Sequence, residues 1–395
     1  MRTGDLRSFI QAHEQAAGKD NKPLAWRNAA NQLRQLLEGG EVKPQDFSLR
    51  ELYRELVETE HGVDLRFAST DQIMEAVSAS AFPYITGELI SKTIMDEYNV
   101  NIGDVASLVT EGDATDFDTT VAGFGAGEGL EEVGEGMPYE ETTLTEKRAT
   151  IRSGKFGRII PVTREMVLFD KTGQVLNRAR NVGRKAGQHR ARMIVQTIEM
   201  EPRTAFGETS STIRAAVLNG TAITQSNFYN TDHSSVSGLD GQVNANTVSD
   251  ALTTSGISNA LNRFANMVDE RGDEIQIVPS VLLVHPLDGP TAWQLVRSTN
   301  QFDTANNALN PYGPGGYRTF KVVESVFIET SSTRNWYLGD FAQQLFWLWG
   351  WKPETLVQTK DSNISFEKDI ITRYRFSYFG GCGHVDYRYI VRGAE

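Results

Sequence analysis

Glycine recurs through Gly123-Phe124-Gly125-Ala126-Gly127-Glu128-Gly129, and glutamates then crowd in as far as Glu141. A glycine-rich loop can bring backbone N–H groups close to a phosphate, so this stretch is the first candidate for chemistry. A dinucleotide fingerprint needs its third glycine five residues after the first, between a strand and a helix. Counting from Gly123 that position is Glu128, and from Gly125 it is Leu130. No strand is expected before it, and its glutamates would repel phosphate. Arg152-Ser153-Gly154-Lys155-Phe156 fails as a P-loop, lacking both the earlier glycine and a hydroxyl residue after the lysine. The six histidines (His13, His61, His189, His233, His285 and His384) are dispersed without metal-ligand spacing. Asp232-His233 reads as a turn-stabilising pair, and His285 before Pro286 as a packing or capping residue. Glu131-Glu132 and Glu140-Glu141 could form an acid/base couple of the glycosidase kind. With little apolar material nearby to raise a pKa, they read instead as solvated charge. Phe346, Trp347, Trp349 and Trp351 could make a sugar platform. Alternation would leave both faces of that strand apolar, which favours a buried strand or a subunit contact. No catalytic, cofactor or metal residue is expected, and the chain does not read as an enzyme.

The elements that would position these groups are legible in part. With 395 residues, 39% apolar and 23% charged, the chain has ordinary globular composition and room for more than one core. Its longest apolar runs, Ile275–Val284 and Leu345–Trp351, are too short to cross a bilayer, and no signal peptide is expected. Cys382, the single cysteine, excludes an intramolecular disulfide and fits a reducing cytoplasm. Residues 1–62 read as short amphipathic helices, including one with Trp26, Ala29, Ala30, Leu33, Leu36 and Leu37 on one face that ends at Gly39-Gly40. Helical spacing continues from about 71 to 80, is broken at Phe82-Pro83, and resumes over 87–98. Residues 103–146 lose periodicity and read as a long loop. Strand-like 148–163 precedes the longest helix, about 174–201, whose Val175, Leu176, Ala179, Val182, Ala186, Met193, Ile194 and Ile198 form a stripe. Gly183 and Gly187 inside that helix imply the close passage of another backbone. Further on come a helix over 254–268, a buried strand over 275–284 and a helix running to Val296. A surface loop (306–318) and several closing strands follow.

Charge is divided along the chain. The net formal charge is -12, which argues against a dedicated nucleic-acid binder. No Lys or Arg occurs between Lys92 and Lys147, where acidic residues from Asp104 to Glu146 accumulate. From Lys147 to Arg192 the sign reverses, with Glu165 and Asp170 alone in opposition.

The order of these parts resembles the major capsid proteins of tailed bacteriophages, with their Hong Kong 97-type coat fold, and is closest in tone to Mu-type head subunits. The likeness runs from about residue 65 to the end. It is carried by Ala81-Phe82-Pro83 with Gly87-Glu88-Leu89-Ile90, and by Ile160-Pro161-Val162-Thr163-Arg164-Glu165 before the long helix. Later stretches are Val281–Pro286, Trp336–Asp340, Tyr374-Arg375-Phe376, Gly383 and Asp386-Tyr387-Arg388. The resemblance implies an α+β fold with an N-terminal helical extension (1–62), an N-arm (63–102) and an extended loop (103–150). It also implies a peripheral domain (151–234 and 346–395) built on the spine helix, and a mixed axial domain (235–345) whose 306–318 loop would crowd the capsomer centre. It implies a structural subunit that self-assembles as hexamers and pentamers into an icosahedral shell around double-stranded DNA, without sequence-specific binding or cofactor and away from membranes. The alternative is an encapsulin-like compartment. Portal, scaffolding and decoration proteins are the implied partners, the virion the implied location, and the host cytoplasm the place of assembly. Some relatives crosslink a loop lysine to a neighbour's asparagine; the loop here lacks lysine before Lys147, so that step is not expected. The extension is expected to be retained, facing inward and aiding assembly. Candidate subunit contacts pair acidic Glu128, Glu131, Glu132, Glu135, Glu140 and Glu141 of one copy with basic Arg178, Arg180, Arg184, Lys185, Arg190 and Arg192 of the next.

Overall fold

The computed structural model describes residues 8–9, 12–13, 15–16, 22–43, 53–54, 57, 66–69, 72–73, 75, 82–124, 146–169, 173–200, 212–218, 221–224, 228–231, 233, 244–269, 273–300, 309–328, 334–358 and 369–394. The helices are α1 (Lys22–Glu38), α2 (Phe82–Ile102), α3 (Arg164–Phe169), α4 (Gln174–Glu199), α5 (Thr254–Ala265), α6 (Gly289–Arg297) and α7 (Phe341–Gln344). The first strands are β1 (Thr110–Asp113), β2 (Asp118–Phe124), β3 (Glu146–Arg152), β4 (Gly154–Thr163), β5 (Thr212–Leu218), β6 (Thr221–Thr224) and β7 (Thr247–Val248). The later ones are β8 (Val281–Val284), β9 (Lys321–Glu324), β10 (Asn335–Gly339), β11 (Leu345–Gln358), β12 (Ile370–His384) and β13 (Ile390–Ala394). Helices and mixed sheets share the chain, the α+β class expected.

Two compact units emerge. One comprises Met1–Ile102, Lys155–His189 and Trp351–Phe379. Here α1 lies on α2 and buries Ala29, Ala30, Leu33 and Leu37, most of the stripe expected of it. α2 starts at Phe82, so Phe82-Pro83 opens a helix where a break was expected. A first-turn proline forfeits only an N–H that has no helical partner anyway. α2 and α4 cross at very short range. A methyl group on Gly183 would overlap the carbonyl oxygen of Ile94, and one on Gly187 that of Tyr98. Both glycines are therefore explained by a passing backbone. β12 lies between β11 and β4, and Tyr374 donates its hydroxyl to Thr86 Oγ1 of α2 at 2.9 Å.

The other unit comprises Gly103–Gly154, Arg190–Gly350 and Gly380–Glu395. It holds a five-stranded sheet in the order β7-β13-β10-β8-β9. β13, from the far end of the chain, sits inside this sheet, with Arg392 opposite both Tyr337 and Thr247. One face of the sheet forms a core with α5 and α6, centred on Ile257, Phe264, Leu282, Val284, Leu295, Trp336 and Leu338. From Arg190 to Met200 the long helix is buried on nearly every side, with Arg192 exposed and Gln196 half-buried.

The segment read as a long loop is more ordered at its root than expected. β2 and β3 form an antiparallel ribbon from Asp118 opposite Arg152 to Phe124 opposite Glu146. A strand therefore does precede the glycine-rich stretch, contrary to the expectation. Its alternation in Thr119-Thr120-Val121-Ala122 is short, and the threonines and glycines mask it. What it pairs with is a returning strand, not the helix that a dinucleotide site requires. The expected single strand over 148–163 is split at Ser153, whose N–H donates to Phe117 O at 2.8 Å.

Candidate assembly surface

The acidic candidates Glu128, Glu131, Glu132, Glu135, Glu140 and Glu141 lie outside the described residues. What is described is the ribbon of β2 and β3 that carries both ends of that segment.

The basic candidates sit on α4, and they do not share one environment. Arg178, Arg184, Lys185 and Arg192 are exposed, and Arg180 is half-buried. Arg178, Lys185 and Arg192 recur every seven residues, which keeps them near one line on the helix surface. Arg180 donates to Asn177 Oδ1 at 2.8 Å. Arg184 lies 3.9 Å from a carboxylate oxygen of Glu97, a surface separation that holds little energy. Arg192 lies with its guanidinium 5.2 Å from the ring centre of Phe327.

Arg190 is a correction. Its residue exposure is 4%, so it is unavailable to a neighbouring copy. Nη2 donates to Glu111 Oε1 at 2.6 Å, and Trp349 Nε1 donates to the other oxygen of the same carboxylate at 3.0 Å. The guanidinium stands 4.7 Å from the Trp347 ring centre and 4.6 Å from that of Trp349. One carboxylate thus neutralises the cation, while two indoles supply the faces a planar guanidinium stacks on. The aromatic strand is buried only in part: Trp347 and Trp349 are inside, with β1 paired in parallel beside them from Thr110 opposite Phe346 to Asp113 opposite Trp349, whereas Trp351 is exposed. Sequence reasoning missed Glu111 because positions 111, 190 and 349 have no shared spacing to reveal them.

Four of the described histidines pack, cap or hydrogen-bond within the fold. His285 Nδ1 accepts from the Leu287 N–H at 3.2 Å. His233 stacks on Tyr387 at 3.9 Å between ring centres and bonds to Asn246 Oδ1. His189 Nδ1 and the Tyr378 hydroxyl share a 2.9 Å hydrogen bond. His384 Nε2 donates to the Thr197 carbonyl. Among the described residues no group of three or more His, Cys, Asp or Glu could hold a metal ion. No helix among them is long and apolar enough to cross a membrane. Burial raises the carboxyl pKa of Glu88 on α2, with Arg34 of α1 opposing the shift. Burial likewise raises that of Asp340.

A family model described as "Phage capsid protein" matches residues 146–393, well over half of the chain. No curated protein matches the sequence. Among solved structures, one titled "Capsid of native GTA particle computed with C5 symmetry" is 12% identical, with a TM-score of 0.45, covering 74% of this chain and 90% of that one. One from Gordonia phage Cozz is 13% identical with a TM-score of 0.44, covering 73% and 85%. The "Cyanophage Pam1 capsid asymmetric unit" is 14% identical with a TM-score of 0.42, covering 74% and 86%.

Proposed function

We propose, from the premise that this chain belongs to the phage capsid protein family and is a structural major capsid subunit of the virion, that the acidic segment of one copy lies on the exposed basic face of α4 in the next. The subunit assembles in the host cytoplasm into hexamers and pentamers of an icosahedral shell around double-stranded DNA. It works with a portal, and with scaffolding or decoration proteins where the particle uses them, and performs no catalysis. The encapsulin-like alternative is not favoured by the family match.

The observation that carries this reading is the separation of charge between two built elements. The ribbon of β2 and β3 holds both ends of a segment without a single Lys or Arg, while α4 turns Arg178, Arg184, Lys185 and Arg192 to solvent. A shell is made by heterologous contacts that repeat. Each exposed ion pair contributes about 1 kcal/mol or less, so repetition over every subunit has to provide the strength. The net negative charge keeps the inner wall from gripping packaged DNA. In this proposal 1–62 is an N-terminal extension retained on the subunit, and the packing of α1 on α2 supports it. The N-arm (63–102), extended loop (103–150), peripheral domain (151–234 and 346–395) and axial domain (235–345) keep the bounds given above.

Reversing Glu131, Glu132, Glu135, Glu140 and Glu141 to lysine is expected to abolish closed particles in electron microscopy while the circular dichroism of the free subunit stays native. Normal particles from that variant would sink the pairing. A mature-particle mass starting near residue 62 would overturn the retained extension.

A further inference from the structure

Of the two helices that cover the sheet β7-β13-β10-β8-β9, one borders a groove and the other carries an exposed indole. α5 and α6 cover the same face of that sheet, because Ile257 and Phe264 of α5 share a single core with Ala292 and Leu295 of α6. α5 packs over β13 and β7, whereas α6 packs over β8 and β9. Along α5 opens a groove of about 700 Å³, bounded by extended residues 274–277 and the 311–318 loop. Leu261, Ala265 and Ile275 line it, with Glu274 and Arg318 among its walls. On α6, Trp293 is 63% exposed. Gly289, one turn earlier on the same side, lies against the Glu324 carboxylate at the end of β9, so Trp293 emerges toward the β9 edge.

We infer that in the assembled shell Trp293 of one copy seats in the groove along α5 of the next copy in the ring. This rests on the reading of the chain as a shell subunit. Three features select a second copy as the occupant. Knob and groove are two different patches of the same unit, so joining them makes a heterologous contact that repeats from copy to copy. The groove falls within the roughly 300–1,000 Å³ range of cavities that enclose compact groups, and tryptophan is a favoured anchor of such contacts. The charges also match. Arg297, exposed one turn beyond Trp293 on α6, faces Glu274 of the neighbour, and Glu324 faces its Arg318.

The test compares particle yields from the full chain by sedimentation and negative-stain microscopy. Trp293→Ala is expected to lower yield at least tenfold with an unchanged circular dichroism spectrum, since an exposed side chain contributes little to the fold. Glu274→Arg and Arg297→Glu should each lower yield similarly, and the double variant should restore it, a rescue that damage to folding would not give. Wild-type yield from Trp293→Ala, or failure of the charge swap to rescue, overturns the seat while leaving the shell reading intact. Absence of closed particles from the unaltered chain overturns the shell reading itself.

Discussion

Arg190 shows how one residue's role depends on what folds around it. In sequence it is one of a run of cations; in the structure its charge is neutralised by Glu111 and covered by Trp347 and Trp349. Removing one partner of such a pair leaves the other buried and uncompensated. Glu111→Ala is therefore expected to destabilise the subunit by about 3 kcal/mol, read as a lower urea midpoint. An unchanged midpoint would show that the network contributes nothing to stability. Glu88 gives a pH effect of known sign. Burial raises its folded pKa above the ordinary 4.5, so the folded state holds the proton more tightly than the unfolded chain. The associated stability is present below the unfolded value and lost as pH rises through the raised folded value. Glu88→Gln should thus be more stable than wild type at pH 7, with the advantage shrinking as pH falls toward 4.5. Thermal melts across that window check it, and an advantage that grows on acidification would contradict the sign.

At the scale of elements, the crossing of α2 and α4 was legible in advance as two glycines in an otherwise good helix. The partner they make room for was not, because Ile94 and Tyr98 lie about ninety positions away. Alanine there would gain about 1 kcal/mol of helix propensity but must displace a carbonyl oxygen. Overpacking of that kind costs about 1–3 kcal/mol. Gly183→Ala and Gly187→Ala are each expected to lower the melting temperature, and a rise would mean that the helices can separate freely. The amphipathic stripes of α1 and α4 could be read directly, since a 3.6-residue period needs no distant partner. The ribbon of β2 and β3 could not: its strands are short, and their pairing spans the whole acidic segment. The same holds for β13, whose sheet neighbours β7 and β10 lie far back in the chain.

At the scale of the whole molecule, a shell held by exposed ion pairs should respond to salt. Screening shortens the reach of such charges from about 10 Å at 0.1 M to about 3 Å at 1 M. Particle assembly, followed by light scattering, is expected to slow and lose yield over that range. Salt-independent assembly would shift the weight to apolar contacts such as that of Trp293. The sequence alone determined the α+β class, the division of acidic from basic charge, the long helix and the lack of any recognisable catalytic constellation. The charge division and the long helix are properties of composition and short-range periodicity, whereas the α+β class followed from the resemblance carried by the order of the parts. Tertiary structure alone decided which cations face solvent, that Glu111 meets Arg190 and Trp349, and that the last strand enters the middle of a sheet. It also placed Gly123 and Phe124 in a β-ribbon, where spacing and charge in the sequence had already excluded a phosphate loop. These outcomes depend on contacts between residues tens to hundreds of positions apart, and no local pattern encodes which distant partner a residue will meet.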